Sequence, residues 1–416
     1  MKNFMYITGK NAKKALNNKI TNKIKNKVLE KYISLIKKEK KKIIAENLKD
    51  VKFAIKNNLK NNLIDRLIIN PKKINNILQS LNNVKKLTDP VNITLKKWKR
   101  PNNLIIKRVS IPIGVIGVIF ESRPNVASDV ASLCFKSGNA VILRGGSESI
   151  NSNKILINLF RKALKENKVN SNYVQFVNRK ERKYVDFMLS NMSKYIDVII
   201  PRGGKSLVKK VQSKSKIPII GHLEGICHTY IDKEADLRMS IKVVYNAKLR
   251  NTSICGATET ILMHNKIVKK FCNPILNKLE INNCKIIGDK YLKKFYKGNI
   301  YLAKNKDWST EYLAPIVSVK CVNNLDEAIE HINKYGTMHT DSIITKNNKR
   351  ADKFLKNVKS SIAIHNASTQ FADGGEFGFG GEVGISTNKL PPRGPIGLEQ
   401  LFSYKYEVSG KGQIRK

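Results

Sequence analysis

The stretch from Asn246 to Met263, NAKLRNTSICGATETILM, presents one cysteine in a way that suits covalent chemistry. A polar, turn-prone run leads into Cys255. Gly256 and Ala257 follow it, so little side-chain bulk screens the sulfur from a bound molecule. The next residues, 258–263, predict a short strand that enters the core and holds the loop on a rigid edge. This pattern predicts an enzyme that uses the Cys255 thiolate as a nucleophile.

The other cysteines and the histidines do not complete a recognisable catalytic arrangement. No CxxC pair or dense cysteine cluster occurs, so neither a zinc site nor a disulfide framework is indicated, and a reducing intracellular compartment fits best. A catalytic cysteine of the protease kind needs a histidine base, and none of the six histidines can be paired with Cys255 from sequence. Free cysteines are more often packing residues than nucleophiles, so the loop alone leaves that alternative open.

Two glycine-rich turns favour a dinucleotide cofactor. Residues 144–147 (RGGS) and 201–206 (PRGGKS) each follow a predicted strand and open a predicted helix, so backbone N–H groups and an arginine could meet a phosphate. Neither turn matches GxGxxG, and each taken singly fits an ordinary strand-to-helix turn better. Taken together, two such turns upstream of one exposed cysteine favour a nucleotide-dependent thiol enzyme over two ordinary turns.

The elements that must position these residues follow a βαβ rhythm. Apolar residues recur at helical spacing over residues 8–85, which predicts two or three amphipathic helices. From residue 113 onward strand patterns alternate with helix patterns, which is typical of a doubly wound, mostly parallel sheet. A second such series, to about residue 364, predicts a separate α/β domain, and residues 401–414 predict a terminal strand pair.

The composition bears on whether the chain is a nucleic-acid-binding protein or an enzyme with a lysine-rich surface. The net charge of +46 is what a nucleic-acid-binding protein would show, but the lysines are scattered among asparagines over nearly every surface-type segment. Background compositional bias explains that distribution better, so we expect no nucleic acid and no membrane as partner. The most apolar run, residues 109–120, is too short to span a bilayer and contains Pro112, and the N-terminus lacks a signal-peptide pattern. A cytoplasmic location follows as an expectation.

Long stretches of the sequence resemble the gamma-glutamyl phosphate reductase family, a branch of the aldehyde dehydrogenase superfamily. The resemblance runs from about residue 5 to the C-terminus. It rests on IGVIFESRPNVASDVASLCFKSGNAVILRGG, YIDVIIPRGG, GHLEGICHTYID, SICGATET, EYLAPIVSV, HINKYGTMHTDSIIT and NASTQFADGGEFGFGGEVGISTNKLPPRGPIGLE. The SRPNV, PRGG and GPxGLE signatures distinguish this branch from ordinary aldehyde dehydrogenases.

The resemblance implies a specific reaction. NADPH would reduce L-glutamyl 5-phosphate to L-glutamate 5-semialdehyde with release of phosphate, the second step of proline biosynthesis from glutamate. Cys255 matches the family nucleophile, which attacks the acyl phosphate and carries the acyl group as a thioester until hydride transfer. The acyl phosphate is unstable, so a separate glutamate kinase is the implied partner that makes it.

Roles for further residues come from the same resemblance. Asn125 matches the asparagine whose amide, together with the backbone N–H of the nucleophile, binds the developing oxyanion. Arg144 takes the place of a superfamily lysine that reaches the adenosine ribose, and a guanidinium there suits the 2′-phosphate of NADPH. Glu311 in EYLAP matches the glutamate that holds the nicotinamide ribose. The glycine-rich turns contribute the remaining cofactor-binding candidates, Gly145, Gly203 and Gly204.

Three residues resemble family positions near the substrate. His339 and Asp341 lie in YGTMHTD, and Asp341 could face the ammonium group of the glutamyl moiety. Arg393, in PPRGP, could serve the phosphate or anchor its loop. We expect no metal in this site.

One departure from the wider superfamily concerns hydrolysis. Oxidative aldehyde dehydrogenases place a glutamate base before a GG pair, where it activates water against the thioester. By register on the strand predicted over residues 226–231, His222 falls at that position and Glu224 two residues later. An acyl-phosphate reductase needs no such base, so we expect little thioesterase activity. A register error of two residues would restore Glu224 as a base.

The expected architecture is aldehyde dehydrogenase-like. It has a dinucleotide domain (residues 1–94 and 113–235, with a C-terminal return around 366–399), a catalytic domain (236–365) and a β-flap (95–112 with 400–416). An exposed flap of this kind usually pairs with another subunit, so we expect a homo-oligomer. An aldehyde-oxidising member of the superfamily and a basic nucleic-acid-binding protein on a retired enzyme fold stay open as alternatives.

Overall fold

Two parallel sheets organise the chain, one in each of two units. The computed structural model describes residues 1–18, 20–59, 61–121 and 123–415, without the side chains of Asn61 and Asn62. Ser122 of the SRPNV motif therefore lies outside the described residues. Unit 1 comprises Met1–Gly221, Gly378–Gly384 and Ile396–Lys416, and unit 2 comprises His222–Phe377 and Ile385–Pro395.

Unit 1 begins with a helical layer. Its described helices before the first strand are α1 (Lys2–Ala15), α2 (Asn22–Lys38), α3 (Lys40–Lys56), α4 (Asn61–Leu67) and α5 (Pro71–Lys86). Each long helix buries one apolar stripe, as at Val28, Tyr32 and Ile36 of α2. The prediction of two or three helices was wrong in number. Only Glu39 separates α2 from α3, so the apolar period continues across the break with little interruption.

The sheet of unit 1 has the doubly wound order expected from sequence. After β1 (Thr94–Lys99) and β2 (Ile105–Pro112) come β3 (Val115–Phe120), α6 (Pro124–Lys136), β4 (Ala140–Arg144), α7 (Ile150–Glu166), β5 (Val174–Phe176), α8 (Lys183–Asn191), β6 (Val198–Arg202) and α9 (Lys205–Lys214). The strands pair in parallel in the order β5-β4-β3-β6. Strand β3 is buried throughout, which explains its unbroken apolar sequence. The order reverses between β3 and β6, where such sheets bind ligands at the carboxyl ends of their strands.

Unit 2 contains the larger parallel sheet. Its elements are β7 (Cys227–Ile231), α10 (Leu237–Leu249), β8 (Thr258–His264), α11 (Asn265–Glu280), β9 (Lys285–Gly288), β10 (Ile300–Leu302), β11 (Ile316–Val322), α12 (Leu325–Tyr335), β12 (Thr340–Ile344), α13 (Asn348–Asn357), β13 (Ile362–His365), β14 (Ile385–Ser386) and β15 (Gly394–Pro395). The sheet order is β10-β9-β11-β8-β7-β12-β13. Ile261 and Met263 of β8 pack in one apolar cluster, while Leu262 between them packs in another. Alternate residues of one strand thus supply both faces of the sheet.

A third, antiparallel sheet joins the two ends of the flap. Strand β16 (Phe402–Ser409) pairs with β2 along its whole length, and β1 pairs with the other edge of β2. The predicted pairing of residues 95–112 with 400–416 is therefore confirmed. The predicted terminal strand pair is wrong, because residues 401–414 contain one strand, β16, and not two.

The predicted domain boundaries need two corrections. Strand β7 was assigned to the dinucleotide domain, but it pairs with β8 and β12 in the sheet of unit 2, so the boundary falls after Gly221 and not after residue 235. The C-terminal return to unit 1 is also narrower than residues 366–399, since β14 and β15 belong to unit 2. Contacts between residues distant in sequence decide both boundaries.

Among the described helices, none combines the length and apolar character needed to cross a membrane.

Candidate active site

The Cys255 loop is held against the segment that precedes β7. A Cβ atom at Gly225 would lie 2.1 Å from the carbonyl oxygen of Cys255, so only glycine permits this approach of the two backbones. The buried Cys227 thiol donates a hydrogen bond to the same carbonyl oxygen at 3.1 Å. Cys255 itself is half-buried, and Ala257 closes a turn by donating its N–H to Ile254 at 3.0 Å. The sulfur is thus presented by a fixed backbone.

Two histidines lie beside Cys255. The rings of His222 and His339 meet edge to face with centroids 4.9 Å apart. One nitrogen of each ring and the Cys255 sulfur all lie within 4.8 Å of one another. His339 is completely buried, and its Nδ1 lies 2.9 Å from the Thr340 hydroxyl, whereas its Nε2 has no hydrogen-bond partner among the described residues. Cys255 therefore faces two imidazoles.

The pairing of Cys255 with His222 and His339 was not predicted from the sequence. Each of the three residues precedes a strand of the same sheet, β8, β7 or β12, and these three strands are neighbours in the order β8-β7-β12. Their amino ends therefore meet at one edge. The strand order was the missing information, since nothing in the local sequence gives it. The pairing of His222 with Cys255 agrees with the register that placed His222 at the base position.

Glu311 and Glu259 tie the loop to a second segment. Glu311 Oε1 accepts the N–H of Gly225 at 2.8 Å. Glu259, the second residue of β8, accepts the N–H of Leu313 at 3.2 Å and pairs with the ammonium of Lys248 at 2.5 Å. Burial raises the pKa of Glu259 to about 7, although the Lys248 charge opposes that rise. These contacts close a ring from β8 through residues 311–313 to Gly225 and back to Cys255.

The other two candidate substrate residues are engaged by unit 2 itself. Asp341 is buried, and its Oδ1 accepts hydrogen bonds from the backbone N–H and Nδ1 of His228, at 2.7 and 2.9 Å. Its Oδ2 accepts a hydrogen bond from Ser360. These contacts favour a structural role over the predicted contact with an ammonium group. Arg393 is exposed and donates to the carbonyl of Lys359 at 2.7 Å, which matches the loop-anchoring alternative.

In unit 1, Asn125 and Arg144 lie at the carboxyl edge of the four-stranded sheet. Asn125 is exposed on the first turn of α6, and its amide donates to Asp129 at 3.2 Å. Arg144 ends β4 and is only 8% exposed. Its Nη2 donates to the Lys180 carbonyl at 3.0 Å, and its buried Nε has no hydrogen-bond partner among the described residues. Burial lowers the pKa of Arg144. An unpartnered guanidinium nitrogen there fits an anionic ligand.

The glycine-rich turns differ from the prediction. Gly145 packs closely, since a Cβ there would lie 2.2 Å from the Asn153 side chain. The N–H of Gly204, expected to face a phosphate, donates to the Glu121 carboxylate at 2.8 Å, and a Cβ at Gly203 would meet the same carboxylate at 2.7 Å. The start of α9 thus binds an anion, as a helix N-terminus does, but the anion comes from the loop after β3.

The comparisons with known proteins agree with this architecture. The model of the aldehyde dehydrogenase family matches residues 8–290 and 302–403. The chain therefore belongs to the aldehyde dehydrogenase family, a class of oxidoreductases, and membership supports a nicotinamide dinucleotide as cofactor.

Within that family the chain is most plainly similar to gamma-glutamyl phosphate reductases. It is 46% identical to the one from Bartonella tribocorum over 373 residues, which are 90% of this chain and 91% of the relative. The crystal structure of the Thermotoga maritima reductase superposes with a TM-score of 0.95 at 38% identity, covering 99% of both chains. An engineered glycolyl-CoA reductase with bound NADP⁺ shares the fold, with a TM-score of 0.69 at 16% identity over 97% of this chain and 96% of that one.

Proposed function

We propose that this chain is an NADPH-dependent reductase of L-glutamyl 5-phosphate, which forms L-glutamate 5-semialdehyde and phosphate in proline biosynthesis. The observation that carries the proposal is the presentation of Cys255 against two imidazoles. The cluster of nucleophilic and ligating atoms that includes Cys255 contains no carboxylate within the described residues. That arrangement suits an enzyme that protects a thioester from water. The similarity to gamma-glutamyl phosphate reductases supports a gamma-glutamyl group as the acyl group that is transferred.

The first chemical step is acyl transfer to Cys255. The thiolate forms a bond to the acyl carbon, and the bond from that carbon to the phosphate oxygen breaks, so phosphate leaves with the electron pair. The backbone N–H of Cys255 would stabilise the oxyanion, and loss of such a donor typically costs about 10²–10³ in rate. Asn125 keeps the oxyanion-binding role that its position in the SRPNV motif implies.

Arg144 and Glu311 are the residues proposed to hold the cofactor. Arg144, with its unpartnered Nε, suits the 2′-phosphate, and Glu311 suits the nicotinamide ribose. Glu311 would exchange the Gly225 N–H for a ribose hydroxyl. When bound, NADPH supplies the hydride that reduces the thioester. Collapse of the thiohemiacetal then breaks the carbon–sulfur bond, releases the aldehyde and restores the thiolate.

One assay tests the reaction in its reverse direction. Glutamate 5-semialdehyde and NADP⁺ are incubated with and without inorganic phosphate, and NADPH formation is followed. We expect turnover that requires phosphate and falls by at least about 10³-fold in Cys255→Ala, as is typical when a nucleophile is removed. Cys321→Ser, far along the chain from this loop, is the matched control and should keep its activity.

Each other outcome contradicts one part of the proposal. Turnover that ignores phosphate identifies an aldehyde-oxidising enzyme instead. Turnover that needs phosphate but persists in Cys255→Ala contradicts the thioester. Faster turnover with NAD⁺ than with NADP⁺ contradicts the role given to Arg144.

The proposal includes a cytoplasmic homo-oligomer that receives its substrate from a separate glutamate kinase. Strand β16 forms one edge of the flap, and its Tyr404, Tyr406 and Val408 are each about half exposed. An edge of this kind pairs readily with another chain. A monomer in light scattering at micromolar concentration would contradict this part.

A further inference from the structure

The cluster formed by Cys255, His222 and His339 has the composition of a metal site. It offers one thiolate sulfur and two imidazole nitrogens within 4.8 Å of one another, and all three residues belong to unit 2. A set of one cysteine and two histidines is typical of zinc and its neighbours among the transition metals. Magnesium and calcium prefer oxygen ligands, which this cluster does not provide.

The hydrogen bonds of His222 orient it as a metal ligand. Its Nδ1 lies 2.8 Å from the carbonyl oxygen of Ile385, and because a carbonyl oxygen can only accept, Nδ1 must carry the proton. The lone pair is therefore on Nε2. Metal-binding histidines typically donate their other N–H to a carbonyl or carboxylate in this way.

His339 supplies an independent observation. Its side chain is completely buried, and its Nε2 has no hydrogen-bond partner among the described residues. Its Nδ1 lies 2.9 Å from the Thr340 hydroxyl and 3.6 Å from the Cys227 sulfur, so Nε2 is the nitrogen left for a ligand. His228 and His331 also have an unpartnered Nε2, but neither belongs to a cluster with a second and a third ligand atom in the described part of the chain.

We propose that Cys255, His222 and His339 bind one thiophilic divalent cation, with Zn²⁺ as the best fit, and that the ion masks the nucleophile. Donor atoms on one tetrahedral zinc lie about 3.3–3.6 Å apart, given the usual zinc–sulfur and zinc–nitrogen distances. Cys255 and His222 are half-buried and must close toward the fixed His339. Binding replaces the thiol proton with the metal and releases that proton to solvent. The ion therefore inhibits reversibly, without oxidation of the sulfur.

Cobalt spectroscopy tests the site without reference to catalysis. Metal-free, untagged protein is titrated with Co²⁺, and we expect one equivalent to give a thiolate-to-cobalt charge-transfer band together with visible bands of a tetrahedral ion. Added Zn²⁺ should abolish these bands. Cys255→Ser should remove the charge-transfer band. His222→Gln and His339→Gln should each weaken binding by at least about tenfold, the loss typical even for an outer-shell partner.

The control variant is Cys321→Ser, which removes a half-buried cysteine outside the cluster and should leave the titration unchanged. Circular dichroism and thermal melting establish that each variant is folded. The absence of a charge-transfer band in the wild type overturns the proposal. So does a band that survives Cys255→Ser, or one that is lost in Cys255→Ser but unaffected by both histidine variants, because that result describes a lone thiolate.

An activity assay distinguishes failure of the metal site from failure of the proposed function. Metal binding itself does not depend on the proposed function, but the inhibition does. Zn²⁺ should abolish phosphate-dependent turnover, and a chelator should restore it. Tight cobalt binding in a protein that never turns over would contradict the proposed function alone. Full turnover with the ion bound would show that the metal does not mask Cys255, and would overturn this inference alone.

Discussion

Two polar clusters, one at the amino edge and one at the carboxyl edge of the seven-stranded sheet, differ in their hydrogen bonding. At the amino edge, Cys255, His222 and His339 converge, and the buried Nε2 of His339 has no partner among the described residues. At the carboxyl edge, Asp232 follows β7 directly and is fully buried, yet both of its oxygens accept hydrogen bonds. Arg350 donates to it from Nε at 2.7 Å, and the hydroxyls of Tyr230 and Thr345 each donate at 3.0 Å.

The difference separates the candidate active site from a structural ion pair. Burial opposes the ionisation of Asp232, but the hydrogen bonds and charge of Arg350 outweigh it and hold the pKa of Asp232 below its ordinary value. A buried charge with every lone pair engaged stabilises one conformation and has nothing to offer a ligand. Beside Cys255, in contrast, the buried Nε2 of His339 has no hydrogen-bond partner among the described residues and can bind a ligand. These two clusters therefore differ in one respect: the Asp232 carboxylate is satisfied by hydrogen bonds, whereas the buried Nε2 of His339 beside Cys255 is not satisfied within the described part of the chain.

The largest effect is expected at the amino edge from Gly225→Ala. The added methyl would lie 2.1 Å from the Cys255 carbonyl oxygen, so the Cys255 backbone must move. A displacement of about 1 Å at a nucleophile costs about 10²-fold in rate, and we expect that loss in kcat/KM of the phosphate-dependent assay. Gly384→Ala is the control, since nothing lies closer than 3.7 Å to a Cβ there. Equal activity of the two variants would show that Gly225 does not position Cys255.

At the carboxyl edge, Asp232→Ala should affect stability and not chemistry. The substitution leaves the partly exposed Arg350 without its buried carboxylate partner, and such a loss lowers the free energy of unfolding by up to about 3–5 kcal/mol. Urea denaturation measures that change, while kcat per folded molecule should stay near the wild-type value. The exposed Asp352→Ala is the control. A loss of kcat without a loss of stability in Asp232→Ala would reverse the roles given to the two edges.

A smaller effect is expected from a buried histidine outside both clusters. Burial, with help from nearby positive charges, lowers the pKa of His331 to about 2, whereas an unfolded chain has a histidine pKa of about 6.5. Below pH 6.5 the unfolded state therefore binds a proton that the native state does not, so stability falls as the pH falls. The slope from this residue approaches about 1.4 kcal/mol per pH unit. Unfolding free energies of the wild type and His331→Phe between pH 7 and 5 should diverge by that slope, and parallel curves would contradict the assignment.

Local patterns were sufficient for much of the fold. The continuous apolar run at β3 and the turn-prone segments after β4 and β6 predicted buried parallel strands followed by helices, and both features are present. The presentation of Cys255 was also readable, because it depends on the small residues beside it in sequence. These features depend on interactions within a few residues, which is why a single sequence reveals them.

Other features depended on which strands are neighbours. The assignment of β7 to unit 2 and the contact of Glu121 with Gly204 depend on pairings between segments distant in sequence. Asp341 looked like a substrate ligand, and only the packed structure shows its oxygens accepting from His228 and Ser360. Sequence spacing carries no record of such contacts.

The amino-acid sequence by itself identified Cys255 as the candidate nucleophile and predicted the alternation of strands and helices and the family. It did so because a small-residue loop and an apolar period are local properties of the chain. The tertiary structure alone decided what surrounds the sulfur, since His222 and His339 reach Cys255 only through the order β8-β7-β12, which brings three separate amino ends to one edge. It also decided which buried polar groups are satisfied, because hydrogen bonds between distant segments form only when the sheet is assembled.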